Sequence, residues 1–232
     1  MKLLALDTAT EACSVALWLD GEVDVETVEL AHGHAQRILP MIDARLAAHR
    51  LRLADLDGLA AGRGPGGFTG LRLGVSVAQG LAFGAGLPVV GISNLAAVAQ
   101  AMFGREAQAT HVLVANDARM KEVYTALYRR SDGGLAVLEG AERVSRPDAV
   151  SIAVPRGARV VGAGRGFRAH PQLAERLNAQ LAMIDAAILP DAGAIAALAV
   201  AAQRAGKAGP PESLQPVYLR DEVAVPAVMV LQ

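Results

Sequence analysis

The stretch Leu3-Leu4-Ala5-Leu6-Asp7-Thr8-Ala9-Thr10 ends a short apolar run in an acid and two hydroxyls. A carboxylate and hydroxyls at the tip of a buried strand can hold a cation or a water and turn oxygens and amides toward a phosphate. The same side chains can instead tie down a turn through local hydrogen bonds. A second run, Ser14 to Leu19, leads into Asp20-Gly21, so the segment reads as strand, polar loop and hairpin. Leu113-Val114-Ala115-Asn116-Asp117 followed by Val123 to Tyr128 and Asp132-Gly133 repeats the plan. Asp7 aligns with Asp117 and Leu17 with Leu127 at one offset of 110 residues. Such a period predicts two copies of one unit, hence two lobes with a cleft between them.

Two glycine-rich turns could bring backbone amides close to an anion. Gly162-Ala163-Gly164-Arg165-Gly166 follows an apolar run, and together with Asp7, Thr8 and Thr10 its glycines Gly162 and Gly164 form a candidate nucleotide site. A strand that simply ends in a glycine turn would read the same way. The loop Arg63-Gly64-Pro65-Gly66-Gly67-Phe68-Thr69 is more specific, because its glycines precede a helix and Arg63 and Arg72 flank it. It lacks the lysine of a Walker loop and the spacing of a dinucleotide fingerprint, and a constrained strand-to-helix connection remains the alternative.

Other chemistries find little support. His32 and His34 lack a metal-binding companion at helical spacing, and no metal site is expected. No serine sits in a nucleophile elbow, and Cys13 has no activating base nearby. Arg156, Arg159, Arg165, Arg168 and Arg176 either touch phosphates or form a solvated face.

The elements that must position these residues follow from hydrophobic periodicity. Strands near 3–7, 13–19 and 22–30 form a meander. An amphipathic helix runs from His34 to Leu51 with Pro40 in its early part, where a missing N–H is tolerated. A strand at Leu56 to Ala61, the glycine loop, a helix at 69–83, a strand at 87–92 and a helix capped by Ser93 and Asn94 complete a first α/β lobe, residues 1–104. The second lobe, 105–232, opens on the repeated meander. It continues through an irregular region at 139–158, helices near 173–181 and 192–205, and a tail from Gly209 that straps across the fold.

With 232 residues, 53% of them hydrophobic, and a net charge of −1, the chain can bury ample cores and carries no global field for nucleic acid or membranes. Aromatic residues are few, so the cores are built from Ala, Leu, Val and Ile. One cysteine forms no internal disulfide, no apolar run reaches a membrane-spanning length, and Asp7 interrupts the opening run before it could act as a signal peptide. A cytoplasmic location is the expectation.

Four segments together resemble the TsaB family, formerly YeaZ. They are Leu4 to Trp18, His34-Ala35-Gln36-Arg37-Ile38-Leu39-Pro40, Gly62 to Arg72, and Asp117-Ala118-Arg119-Met120-Lys121-Glu122-Val123-Tyr124, and the likeness extends to Pro216-Val217-Tyr218-Leu219-Arg220. The resemblance implies the duplicated, two-lobed α/β ASKHA fold shared by actin, sugar kinases and heat-shock ATPases. It implies a part in forming threonylcarbamoyladenosine at position 37 of tRNAs that read codons beginning with A. In that family the related catalytic subunit, TsaD, uses two histidines four residues apart on a helix, whereas here His34 is followed by Ile38. The resemblance therefore implies a non-catalytic partner of a TsaD-like subunit, joined by a TsaE-like ATPase, with tRNA met only through the complex and a homodimer when the partner is absent. No cofactor is required by this chain alone; ATP or ADP and a metal ion belong to the partners. The partner surface is expected on the two first-lobe helices, at Ile38, Leu39, Ile42 and Leu46 on one and Gly70, Leu71, Gly74, Val75 and Ala78 on the other. Their alternative role is to cover their own sheet. An ATP-binding phosphotransferase of the same fold and a glycoprotease-like metallopeptidase stand as other readings.

Overall fold

The computed structural model describes residues 1–153 and 155–220. The first lobe is built on β1 (Lys2–Asp7), β2 (Ala12–Leu19), β3 (Glu22–Glu29), β4 (Gly58–Gly62) and β5 (Val89–Ile92), in the order β3-β2-β1-β4-β5. The second has β6 (His111–Asp117), β7 (Val123–Arg130), β8 (Ala136–Ser145), β9 (Val160–Ala163) and β10 (Ile184–Asp185), in the order β10-β9-β6-β7-β8. In each sheet an antiparallel meander is extended by two parallel strands, so the duplication expected from sequence is present in the topology.

Because β1 is central and covered on both faces, its residues alternate between two cores. Leu4 and Leu6 join Val15, Leu17 and Leu59 under α1 (His34–Ala48) and α2 (Phe68–Ala85). Leu3 and Ala5 join Ala16 and Ala60 under α6 (Ala192–Arg204). In the second lobe Val112, Val114 and Tyr128 pack beneath α3 (Asn94–Arg105). On the other face Leu113 and Ala115 meet Phe167 of α4 (Gly166–Ala169) and Leu173 and Leu177 of α5 (Pro171–Leu177). The last helix of each half is thus exchanged: α3 covers the second sheet, α6 the first, and the two pack on each other.

Face and register correct the repeat alignment. Leu4 pairs with Leu17 under the α1 and α2 side, and Leu113 pairs with Leu127 on the equivalent side of the second sheet. The offset is therefore 110 for β2 and β7 but one less for β1 and β6, and the counterpart of Asp7 is Asn116 rather than Asp117. The loop between β6 and β7 contains one extra residue, and in a strand a single step reverses the face.

Local differences from the sequence reading have simple causes. Pro40 is the seventh residue of α1, in its second turn, so its missing N–H leaves the Gln36 carbonyl without a helical donor. Residues 139–145, the start of the region 139–158 expected to be irregular, complete a strand from Ala136 to Ser145; this outer strand has no buried residue and so lacks a clean apolar alternation. Ser93 caps α3 as expected, accepting from the amides of Leu95 and Ala96 at 3.1 and 3.3 Å. Asn94 does not share the capping. The tail straps the first lobe, with Val89 bridged to Gly209, Val217 N donating to Arg63 O at 2.7 Å and Arg72 Nε donating to Tyr218 Oη at 2.8 Å. Its stretch 221–232 lies outside the described residues.

Candidate functional site

The end of β1 is locked into a buried network. Asn94 Nδ2 donates to Asp7 Oδ1 at 2.8 Å, and Asn94 Oδ1 accepts from Gly64 N at 2.7 Å. One amide thereby joins the strand tip to the glycine loop, a bridge that nothing in the sequence pattern signalled. Asp7 is 1% exposed and its Oδ2 has no partner. Burial pushes its carboxyl up to about 7 and the charge of Asp191 adds to this, while the Asn94 amide and the backbone of Ala9 and Thr8 oppose it.

Thr8 turns to the opposite face, where its Oγ1 donates to Gly70 O at 2.6 Å. The glycines of α2 serve this approach: a Cβ on Gly70 would lie 2.0 Å from Thr8 O, and one on Gly74 2.7 Å from Thr8 Oγ1. The loop packs on the same turn, since Gly67 N donates to Ala9 O at 2.7 Å and a Cβ on Gly66 would sit 2.6 Å from that oxygen. Two of its amides, those of Gly64 and Gly67, are therefore spent inside the protein. Thr10 Oγ1 accepts from Ala12 N at 3.2 Å, and His34 Nε2 lies 3.0 Å from Thr10 O.

Between the lobes lies a cleft of about 490 Å³. Thr10, Pro65, Gly66 and Gly67 line it from the first lobe; Asn116, Asp117, Arg119, Arg165 and Arg168 line it from the second. Asp7, Thr8, Gly162 and Gly164 are not on its wall. Gly162 packs against Phe167 and Ile184, and Gly164, at φ +110°, passes close to Ala115 O and Asn116 Oδ1. Asn116 is 7% exposed with neither amide atom partnered.

The arginines divide differently from the sequence expectation. Arg72 stacks 3.7 Å over the Phe68 ring, and Arg63 lines a separate groove with Lys207. Arg176 donates to the carbonyls of Pro147 and Val150. The cleft cations are Arg119, Arg165 and Arg168. Among the described residues no three His, Cys, Asp or Glu side chains converge on a metal position. No described helix is long and apolar enough to cross a membrane.

The expected partner surface is revised by burial. Ile38, Ile42, Leu46, Leu71, Val75 and Ala78 lie in the first lobe's own core, and Gly70 and Gly74 face Thr8. Outward positions of the same helices include Leu39, Ser76, Gly80, Phe83 and Gly84. A Cβ on Gly80 or Gly84 would meet nothing within 4 Å.

A family model described as TsaD, tRNA N6-adenosine threonylcarbamoyltransferase, matches residues 28–227. The tRNA threonylcarbamoyladenosine biosynthesis protein TsaB of Escherichia coli is 43% identical over 97% of this chain and 96% of its own. TsaB of Haemophilus influenzae is 60% identical over 53% of this chain and 52% of its own. The solved structure of YeaZ from Pseudomonas aeruginosa superposes with a TM-score of 0.87 at 41% identity, covering 94% of this chain and 99% of that one.

Proposed function

The chain belongs to the TsaB (YeaZ) family, with a role in tRNA threonylcarbamoyladenosine biosynthesis, and from that premise we propose that it acts as the non-catalytic partner of a TsaD-like transferase. The observation that carries this reading is near full-length similarity to TsaB combined with the donor set of α1, where Ile38 stands four residues after His34 and His34 itself contacts the Thr10 carbonyl. The chain supplies a folded surface; the transferase supplies the metal and the chemistry, a TsaE-like ATPase joins the assembly, and tRNA is reached through the complex. Without the transferase, the chain pairs with itself through the same surface.

That surface is the outer face of α1 and α2. Glycine inside a helix costs about 1 kcal/mol relative to alanine, and among the described residues nothing lies within 4 Å of a Cβ added at Gly80 or Gly84 to explain them. Leu39 and Phe83 are 46% and 81% exposed. An open glycine strip beside exposed apolar side chains fits the close approach of a partner helix.

In a reconstitution with TsaD, TsaE, threonylcarbamoyl-adenylate and unmodified tRNA, omission of this chain is expected to abolish modification. Gly80→Arg is expected to prevent association with TsaD while leaving thermal stability at or above that of the wild type, because the added side chain meets open space. Full modification without the chain would overturn the partner reading. Unchanged TsaD affinity in Gly80→Arg would overturn the surface alone.

A further inference from the structure

The mouth of the cleft is crossed by ion pairs between the lobes. Arg165, just beyond the Gly164 turn of the second lobe, reaches Glu29 Oε2 of the first at 2.6 Å and Glu11 Oε2 at 3.8 Å. Arg119 reaches Glu11 Oε1 at 3.5 Å. One carboxylate of the first lobe is thus shared by two arginines of the second. Arg119 stands in the extra-residue loop, where Arg119, Met120 and Lys121 take φ values of +60°, +51° and +61°, a conformation non-glycine residues rarely adopt in succession. The loop is pinned by Arg119 N donating to Asp117 Oδ1 at 2.9 Å and by the pairing of Arg220 with Glu122.

Inside the mouth, polar groups stand without partners among the described residues. Asn116 lines the cleft with a free donor and a free acceptor, and Arg165 Nε is buried and unpaired. The interior is therefore prepared for a polar ligand, while the arginines at its rim are occupied by the protein's own carboxylates.

We propose that Glu11 and Glu29 form a latch that holds the lobes together by occupying Arg119 and Arg165, and that a diphosphate-bearing anion opens it by taking their place. Arg165 then loses both of its carboxylates while Arg119 keeps Asp117 Oδ2 of its own lobe at 3.4 Å, so the ligand must bring negative charge chiefly to Arg165, and a diphosphate also brings acceptor oxygens to Arg119, Arg168 and the Asn116 amide. The latch carboxylates are exposed, 44% for Glu11 and 61% for Glu29 in their side chains, so each pair is weak and the whole is reversible. This proposal stands apart from the partner reading, because it concerns the cleft and not the outer face of α1 and α2.

The test is calorimetric titration of the full chain with pyrophosphate, with ADP and with adenosine, alongside small-angle scattering. The double variant Glu11→Gln with Glu29→Gln is expected to bind pyrophosphate about tenfold more tightly than the wild type, the gain from removing a closed state populated about ten to one. It is also expected to show a larger radius of gyration without ligand. Adding Arg165→Gln to that background should remove the binding. Raising ionic strength should expand the wild-type protein toward the double variant, since exposed pairs are screened. ADP binding more tightly than pyrophosphate would mark a nucleoside as the carrier of the diphosphate, and equal affinities would mark the free anion; adenosine alone should not bind. A double variant with unchanged affinity and size, or retained binding after Arg165→Gln, would overturn the latch.

Discussion

Asp7→Asn is expected to make the protein more stable by about 2 to 4 kcal/mol at about pH 8, an unusual sign for a polar substitution in a core. The buried carboxyl is raised to about 7 from its ordinary 3.8. Below the unfolded value both states hold the proton and the group contributes nothing to pH dependence. Between the two values the folded state keeps a proton that the unfolded chain has lost, so stability falls as pH rises, and above about 7 the penalty is complete. Asparagine keeps the oxygen that accepts from Asn94 and carries no charge, although its own new donors offset part of the gain. Asp7→Ala should behave oppositely, because it strands the Asn94 amide in a buried site. Urea denaturation of the three proteins from about pH 4 to 8 measures this; an Asp7→Asn protein with the wild-type slope and stability would refute it.

Gly70→Ala is expected to destabilise the fold by about 3 kcal/mol or more, although alanine is the better helix former by about 1 kcal/mol. Its Cβ would overlap Thr8 O, a backbone atom of the central strand, and either the helix or the strand tip must move. The same substitution at Gly80, ten residues along the same helix, should stabilise by up to about 1 kcal/mol. Parallel denaturation curves decide the matter: equal effects at the two sites would mean that α2 does not lie against Thr8 as described.

The duplication, the alternation of strands and helices and the cap at Ser93 were legible because each leaves a local imprint: a repeated motif, a period, a hydroxyl before a helical pattern. The outer strand 136–145 left none, since Leu138, Glu139, Gly140, Ala141 and Arg143 are exposed and the half-buried Glu142 turns a charge, not an apolar group, toward Tyr128. Periodicity also marked the apolar stripe of Ile38, Ile42 and Leu46 correctly but could not say what covers it, and their own sheet does. The site was legible only in part. Thr10 and two of the loop glycines, Gly66 and Gly67, reach the cleft wall, whereas the Asn94 bridge and the Glu11 and Glu29 pairs join residues far apart in the chain and have no motif. The one-residue register change turned the eye to Asp117 when the face of Asp7 is continued by Asn116.

The exchange of α3 and α6 has a consequence for how the chain is made. The ribosome delivers the whole first sheet before residue 93, yet the face formed by Leu3, Ala5, Ala16 and Ala60 is covered by Ile195, Ala196 and Ala199, which emerge roughly a hundred residues later. Until then a nascent chain carries a naked apolar sheet face and cannot close its first half as an autonomous unit. The two halves therefore finish folding together, and the emergence of α6 rather than completion of the first sheet sets the moment at which that surface disappears from water.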